Sequence, residues 1–447
     1  MKRPLVLFAA ALLTAPSALQ AGWSELRPFG IPHVREGSAL CAGRCDCEAG
    51  ALGPCLTPMY RVWLLHGKPD INEPYNGFER WLDPDWDPLP SLPSYEGVTG
   101  WGGALAYVPD PFAWPANGRI FALMGNRTRY FWSYNPAAGT WVREQDLPVP
   151  VGAGGALCFG GTGEVGGIPC SFLYAFVGDG SPRFFRYAHP LTPTRGEGLC
   201  LSGWTELTPM LSGLPVKAGG CLTWCPPQPD NPDYPMGLVV ALRGDATTGL
   251  YCYDPASGQW LWWNRLFEEP AKGGAAIATG PTGRDVYFWS GGRERDFYRW
   301  YVHPESEVED LEPTPQPQDD GAALCQTDGR LYAEFGGHPN QQFWAYELAH
   351  PGDPDGGQSA PAPASAAAEV RIRRSPNEHR FSVACPPGPV VLTVFNGAGI
   401  RVARLSAAAG PNGADLVWYH ALAGPGVYHY ELRYSQGRAT GKLTVVR

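Results

Sequence analysis

Nine histidines are spread along the 447 residues, and two of them, His66 and His338, occupy equivalent places, each closing a short apolar run beside a glycine. Imidazoles brought together from two such places would offer nitrogen ligands to a transition metal. No further ligand set accompanies them, so no cofactor is expected. Hydrolytic signatures are missing, since the chain contains neither Gly-x-Ser-x-Gly nor His-Glu-x-x-His. The acid pairs Glu268-Glu269 and Asp319-Asp320, and the Glu307, Glu309, Asp310 group, sit in charged or Pro-rich connections and read as solvated loop acids. No catalytic residue is assigned.

Aromatic side chains carry the stronger signal. Trp81, Trp86, Trp101, Trp114, Trp262, Trp263, Trp289 and Trp300 exceed what packing of small sheets requires. A flat apolar face with a polar edge is what a sugar or peptide stacks on. Trp81, Trp86, Trp114 and Trp289 are therefore candidate ligand contacts, together with Asp70, Asp245 and Arg293, which follow glycines at the ends of apolar runs. Turn capping is the competing reading for those polar residues, and packing between neighbouring sheets is the competing reading for the tryptophans.

The elements that must position these groups are short strands. The chain holds 57 Gly and 47 Pro and no long helical apolar period, which makes it all-β. Six units begin on small residues: Gly37-Ser38-Ala39-Leu40, Gly102-Gly103-Ala104-Leu105, Gly154-Gly155-Ala156-Leu157, Gly219-Gly220-Cys221-Leu222, Gly273-Gly274-Ala275-Ala276 and Gly321-Ala322-Ala323-Leu324. Apolar second strands follow, among them Val62–Leu65, Ile120–Leu123, Leu173–Phe176, Leu238–Ala241, Val286–Trp289 and Leu331–Glu334. A single sheet of this size cannot bury itself, so the units must stack. Two stretches, Asn72–Pro93 and Pro226–Pro235, read as long insertions framing a binding face.

The motifs Tyr134-Asn135-Pro136-Ala137-Ala138-Gly139-Thr140-Trp141 and Tyr253-Asp254-Pro255-Ala256-Ser257-Gly258-Gln259-Trp260, with the double glycines Gly291-Gly292 and Gly336-Gly337, resemble the kelch β-propeller family over Trp23 to Leu348. The double glycine is loosened to Gly67-Lys68, Gly125-Asn126, Gly178-Asp179 and Gly244-Asp245 in the other units. The resemblance implies a six-bladed kelch-like β-propeller. Its last unit lacks a fourth strand, and Gly22-Trp23-Ser24-Glu25-Leu26-Arg27-Pro28 echoes the outer strand Gly203-Trp204-Thr205-Glu206-Leu207-Thr208-Pro209. Trp23 to Arg27 is thus expected to close the ring on the sixth blade. Kelch-type rings include copper radical oxidases, whose site needs two His, a Tyr and a Tyr crosslinked to Cys; here only His66 and His338 suggest it.

Residues 1–21 have the pattern of a signal peptide, with Lys2-Arg3, an apolar core and small residues before Gly22. Without Lys2 and Arg3 the formal net charge moves from −9 to −11. Such an acidic balance argues against nucleic-acid binding, and no later run is long enough to span a membrane. In an oxidising compartment Cys41, Cys45, Cys47, Cys55, Cys158, Cys170, Cys221 and Cys225 are disulfide candidates.

The domains are then 22–350 for the propeller, 351–368 for a Pro/Ala/Gly/Ser linker and 369–447 for a small β-sandwich. In the last, Ser375-Pro376-Asn377, Val394-Phe395-Asn396, Gly399-Ile400-Arg401-Val402, Gly426-Val427-Tyr428 and Lys442-Leu443-Thr444-Val445-Val446-Arg447 resemble the type IX secretion sorting domain and the immunoglobulin-like domain of the flagellar hook-capping protein. That resemblance implies a partner in the outer-membrane secretion machinery. The expected function is recognition of a protein or glycan by propeller loops, in a secreted or cell-surface protein. The alternatives are a secreted oxidase or carbohydrate-active enzyme, and a structural or adhesion component.

Overall fold

The chain divides into two units, Met1–Gly357 and Gln358–Arg447. The computed structural model describes residues 22–29, 36–45, 59–67, 76–93, 97–109, 118–191, 202–228, 233–303, 306–337 and 342–348 of the first, and 369–375, 378–384, 388–395, 401–409, 413–419, 425–434 and 437–445 of the second. The leader, the linker, Cys47, Cys55, Asp70, Trp114 and His338 lie outside the described residues.

The first unit is a six-bladed β-propeller, each blade a four-stranded antiparallel sheet. Blade 1 comprises β2 (Ala39–Cys45), β3 (Met59–Leu65), β4 (Phe78–Leu82) and β5 (Asp85–Leu89). Blade 2 comprises β6 (Ala104–Val108), β7 (Arg119–Leu123), β8 (Phe131–Asn135) and β9 (Thr140–Arg143). Blade 3 is β10 (Ala156–Val165), β11 (Ile168–Phe176), β12 (Phe184–Pro190) and β13 (Gly203–Glu206), and blade 4 is β14 (Gly220–Cys225), β15 (Leu238–Arg243), β16 (Thr247–Asp254) and β17 (Gln259–Ala271). Blade 5 is β18 (Ala276–Thr279), β19 (Asp285–Trp289), β20 (Tyr298–Tyr301) and β21 (Val308–Asp310). Blade 6 takes β22 (Ala323–Thr327), β23 (Arg330–Glu334) and β24 (Phe343–Glu347) and completes itself with β1 (Trp23–Leu26), which pairs antiparallel to β24 with Trp23 opposite Tyr346. The first strands of successive blades touch in sequence order, and β22 returns to β2. The N-terminal strand thus closes the ring, as its echo of the third blade's outer strand implied.

A repeated aromatic latch joins the blades. In each of five seams a tryptophan of an outer strand packs edge-on or tilted against a phenylalanine of the preceding blade: Trp86 on Phe343, Trp141 on Phe78, Trp204 on Phe131, Trp260 on Phe184 and Trp23 on Phe297, with ring centroids 4.8 to 5.1 Å apart. Four of these indoles also donate to a carbonyl just past the preceding blade's outer strand, namely Trp86 to Arg27, Trp141 to Pro90, Trp204 to Gln145 and Trp260 to Thr208, at 2.8 to 3.3 Å. These four latches therefore combine aromatic burial with a satisfied indole N–H. Because Arg27 follows β1, the Trp86 latch shows the N-terminal strand serving as an ordinary outer strand. The stretch Asn72–Pro93 is accordingly not an insertion: it contains β4 and β5, the outer half of blade 1, whose alternation places Phe78 and Trp81 in opposite seams.

The second unit is built from a three-stranded sheet, β25 (Glu369–Ser375), β26 (Glu378–Ala384) and β29 (Ala414–Tyr419), and a four-stranded sheet ordered β28 (Arg401–Ala409), β27 (Gly388–Phe395), β30 (Gly426–Tyr434) and β31 (Gly437–Val445). Phe381, Leu416 and Trp418 from the first and Val390, Leu392, Leu432 and Leu443 from the second share one core.

Glycine is indispensable where neighbouring blades meet backbone to backbone. A Cβ on Gly154, at φ +88°, would stand 1.9 Å from the Lys217 carbonyl oxygen of the next blade. Gly139 is also left-handed, at φ +66°, yet its Cβ would meet nothing closer than the Tyr134 hydroxyl at 4.0 Å. Gly139→Ala is expected to cost about 1 kcal/mol, the conformational term alone. Gly154→Ala is expected to cost more than about 4 kcal/mol or to prevent folding, because backbone cannot yield. Urea unfolding of the two variants side by side checks the contrast.

Candidate functional site

Two turns per blade build a rim at one end of the ring. The entry turn, just before the first strand, closes with an N–H···O bond across three residues: Gly103 to Gly100, Gly155 to Gly152, Gly220 to Lys217, Ala275 to Lys272 and Ala322 to Asp319, at 2.7 to 3.0 Å. Its third residue is always a glycine with positive φ, as a type II turn requires. The exit turn follows the second strand and is left-handed for three residues: Gly125-Asn126-Arg127, Gly178-Asp179-Gly180, Gly244-Asp245-Ala246 and Gly291-Gly292-Arg293. The third N–H of each donates to the carbonyl of the residue just before the next blade's entry turn, Arg127 to Val151, Gly180 to Val216, Ala246 to Ala271 and Arg293 to Gln318. Left-handed backbone at non-glycine residues often marks a functional site. Here it recurs around the ring, so it belongs to the architecture.

Rim side chains project from this scaffold. Asp245 receives Lys217 at 2.7 Å and Arg243 at 3.3 Å. Arg293 reaches Asp319 of the following blade at 2.9 Å, and Arg127 likewise reaches Asp179 at 2.9 Å. Two of the polar candidates, Asp245 and Arg293, are thus engaged in rim ion pairs. Burial and the charge of Asp319 raise the Asp320 carboxyl above its ordinary range.

The aromatic candidates fall elsewhere. Trp81 is buried between blades 6 and 1. Trp86 is held by its latch, and Trp289 is fully buried and donates to the Gly274 carbonyl at 2.7 Å. None of the three offers an open face. Trp101 does: it is 49% exposed at the second position of the blade 2 entry turn, where the other blades carry Glu36, Ala153, Ala218, Gly273 and Asp320. Its carbonyl accepts the Asn126 N–H at 2.8 Å, which sets the Asn126-Arg127 turn beside it. The Trp101 turn, the Asn126-Arg127 turn and the Arg127–Asp179 pair thus adjoin one another on blades 2 and 3. Sequence counting includes Trp101 among the surplus tryptophans; its being the aromatic one among the equivalent entry-turn residues is the signal that singles it out.

The disulfide expectation is corrected at five positions. Cys41, Cys158, Cys170, Cys221 and Cys225 are free thiols. Cys221 and Cys225 lie four residues apart on one strand, about 13 Å, which no disulfide spans. Cys158 pairs in register with Tyr174, four residues from Cys170, so that bridge is excluded for the same reason. Burial pushes the Cys225 thiol up to about 12. Cys45 ends β2.

His66 is buried with Nε2 3.4 Å from Glu79 Oε2. Among the described residues no three His, Cys, Asp or Glu side chains converge as metal ligands, so those residues do not fit the copper-oxidase set.

No family model matches the chain, and no curated protein matches it in sequence. Solved structures do. A protein of unknown function from Bacteroides thetaiotaomicron is 12% identical over 73% of this chain and 76% of its own, with a TM-score of 0.46. A fungal lectin from Aleuria aurantia, described as a six-bladed β-propeller with a fucose recognition mode, is 15% identical over 70% and 93%, with a TM-score of 0.45. A fungal alcohol oxidase of the AA5 family in complex with copper is 11% identical over 96% and 100%, with a TM-score of 0.36. Likeness at this level carries no argument about what this chain does.

The rim charges yield a test. Hydrogen bonding from Lys217, then its charge and the Arg243 guanidinium, hold the Asp245 carboxyl below its ordinary range. A depressed carboxylate stabilises the fold above the ordinary aspartate value, and that contribution is lost as pH falls through the folded-state value. Asn tolerates left-handed backbone as Asp does. Asp245→Asn should therefore cost at most about 1 kcal/mol at neutral pH and nothing at strongly acidic pH, read from melting temperature across pH.

Proposed function

We propose that the protein is an exported recognition protein whose propeller binds a glycan at the rim patch of blades 2 and 3. The observation that carries this reading is Trp101. Its exposed indole is the aromatic member of a set of entry-turn positions otherwise held by Glu36, Ala153, Ala218, Gly273 and Asp320, and its turn adjoins Asn126 and the Arg127–Asp179 pair. A sugar ring offers an apolar C–H face to an indole and hydroxyls to amide, guanidinium and carboxylate groups. A protein partner would instead call for a contiguous apolar area of several hundred square ångströms. Among the described propeller residues the large exposed apolar side chains are Tyr60, Trp101, Val142 and Tyr301, single residues on separate elements.

Export is proposed from the charge and apolar pattern of residues 1–21, and a secreted or cell-surface location with it. The kelch-like motifs and the sorting-like strand endings of the second unit support the same reading, in which that unit engages secretion machinery of the outer membrane.

The test is a glycan array followed by calorimetry on the full chain. Trp101→Ala should abolish binding of the best array ligand while leaving the melting temperature within about 1 °C, because an exposed turn residue contributes little to stability. Unchanged affinity in this variant, or an array without a ligand, sinks the proposal.

A further inference from the structure

The seam between blades 6 and 1 differs chemically from the other five. Each seam has three equivalent positions under the rim: the residue two before the exit glycine on one blade, the residue just before that glycine on the next, and the third-strand residue of the next blade that lies opposite the residue three before its exit glycine. Seam 1–2 fills them with Leu65, Met124 and Trp132, and seam 2–3 with Leu123, Val177 and Phe185. Seam 3–4 has Phe176, Arg243 and Tyr251, seam 4–5 has Leu242, Ser290 and Tyr298, and seam 5–6 has Trp289, Phe335 and Trp344. Seam 6–1 has Glu334, His66 and Glu79, each at most 3% exposed.

Register confirms the equivalence. Glu79 lies opposite Leu64 as Trp132 lies opposite Ala122 and Phe185 opposite Ala175. Glu334 lies opposite Ala323, which packs in the 6–1 seam with Phe29, Leu64, Cys325 and Phe343. His66 meets Glu79 at 3.4 Å and the Phe29 ring edge-on at 6.3 Å. Glu334 Oε1 accepts the Gly336 N–H at 3.0 Å, and its Oε2 has no hydrogen-bond partner among the described residues. Other ionisable groups at this seam are the Cys325 thiol and Tyr332 of blade 6, the latter hydrogen-bonded to Arg330. Asp319 and Asp320 lie above it on the rim, and the Arg27–Asp85 pair at its exposed outer edge.

At this seam blade 6's strands β22–β24 have no direct peptide link to blade 1: β1, which leads on to blade 1, is held to them only by its pairing with β24. We propose that the seam is an acid-closed latch: the ring is held shut while Glu334 carries its proton and loosens between blades 6 and 1 when Glu334 ionises. A protonated carboxyl sits in the seam as a neutral group, whereas an ionised one there has a single backbone N–H against the loss of its hydration. Burial raises the Glu334 carboxyl well above its ordinary range. The folded state then holds more protons than the opened one between the ordinary glutamate value and the raised one. Closure is strongest at the acidic end of that window and weakens as pH rises through it. The inference is independent of what the rim binds.

The test reads the seam itself. Cys325 is buried in seam 6–1 and Cys252 in seam 4–5, and both thiols are free. Iodoacetamide labelling of the full chain at increasing pH, quantified by mass spectrometry, gives the ratio of Cys325 to Cys252 modification, in which the common growth of thiolate cancels. The ratio should rise with pH, by at most about tenfold per pH unit for one ionising group. It should be flat in Glu334→Gln and in Glu334→Leu, the latter restoring the residue found at Leu65 and Leu123. A flat ratio in the unaltered protein, or a rise that persists in either variant, overturns the proposal.

Discussion

The structure depends on the approach of one blade's backbone to the next at the entry turns. Gly37, Gly102, Gly154, Gly219 and Gly274 all hold positive φ, and a Cβ on any of them would come within 1.9 to 2.3 Å of a carbonyl oxygen in the following blade's turn. That contact fixes how closely the first strands can crowd the axis, and so the tilt at which each sheet meets its neighbour. Substituting any of these glycines would have to displace main chain rather than a side-chain tip. The exit glycines repeat the constraint within a blade, with Gly125, Gly178, Gly244, Gly291 and Gly336 lying against their own entry turns. Inner spacing is therefore set by absent side chains and outer spacing by large ones, the tryptophan latches.

From this division of labour follows the fate of the aromatic and polar residues. Most described tryptophans are committed to seams, where neighbouring rings cover them, and four of the five latch indoles also donate to a backbone carbonyl. Rim ion pairs such as Arg293–Asp319 tie adjacent blades at an exposed surface and contribute modestly to stability. The exceptions stand out against the repeat. Trp101 is aromatic where other blades have acidic or small residues, and Glu334, His66 and Glu79 are ionisable where other seams are mainly apolar or aromatic. Six-fold repetition supplies the internal control, since a feature present in every blade is explained by the architecture and a feature present once is not.

Much of this was legible in the chain. Small-residue starts, apolar second strands and the Tyr-x-Pro-x-x-Gly-x-Trp turns located the blades, because strand length and turn chemistry are local properties. The echo between Trp23-Ser24-Glu25-Leu26 and Trp204-Thr205-Glu206-Leu207 located the closing strand. Misread was Asn72–Pro93, where Pro and Asp in the connections masked the alternation of β4 and β5. Cysteine counts failed as well, because register decides whether two thiols can meet and register is not a property of composition.

By itself the sequence determined an all-β chain of six units, their order, and the residue that closes the ring, for these rest on interactions between residues near in sequence or on repetition of one pattern. Tertiary structure alone decided which tryptophan is open, which acids are buried and which residues face one another across a seam. Those depend on the packing of strands far apart in the chain, β23 of the last blade against β3 of the first, and a side chain's solvent and partners exist only once that packing has formed.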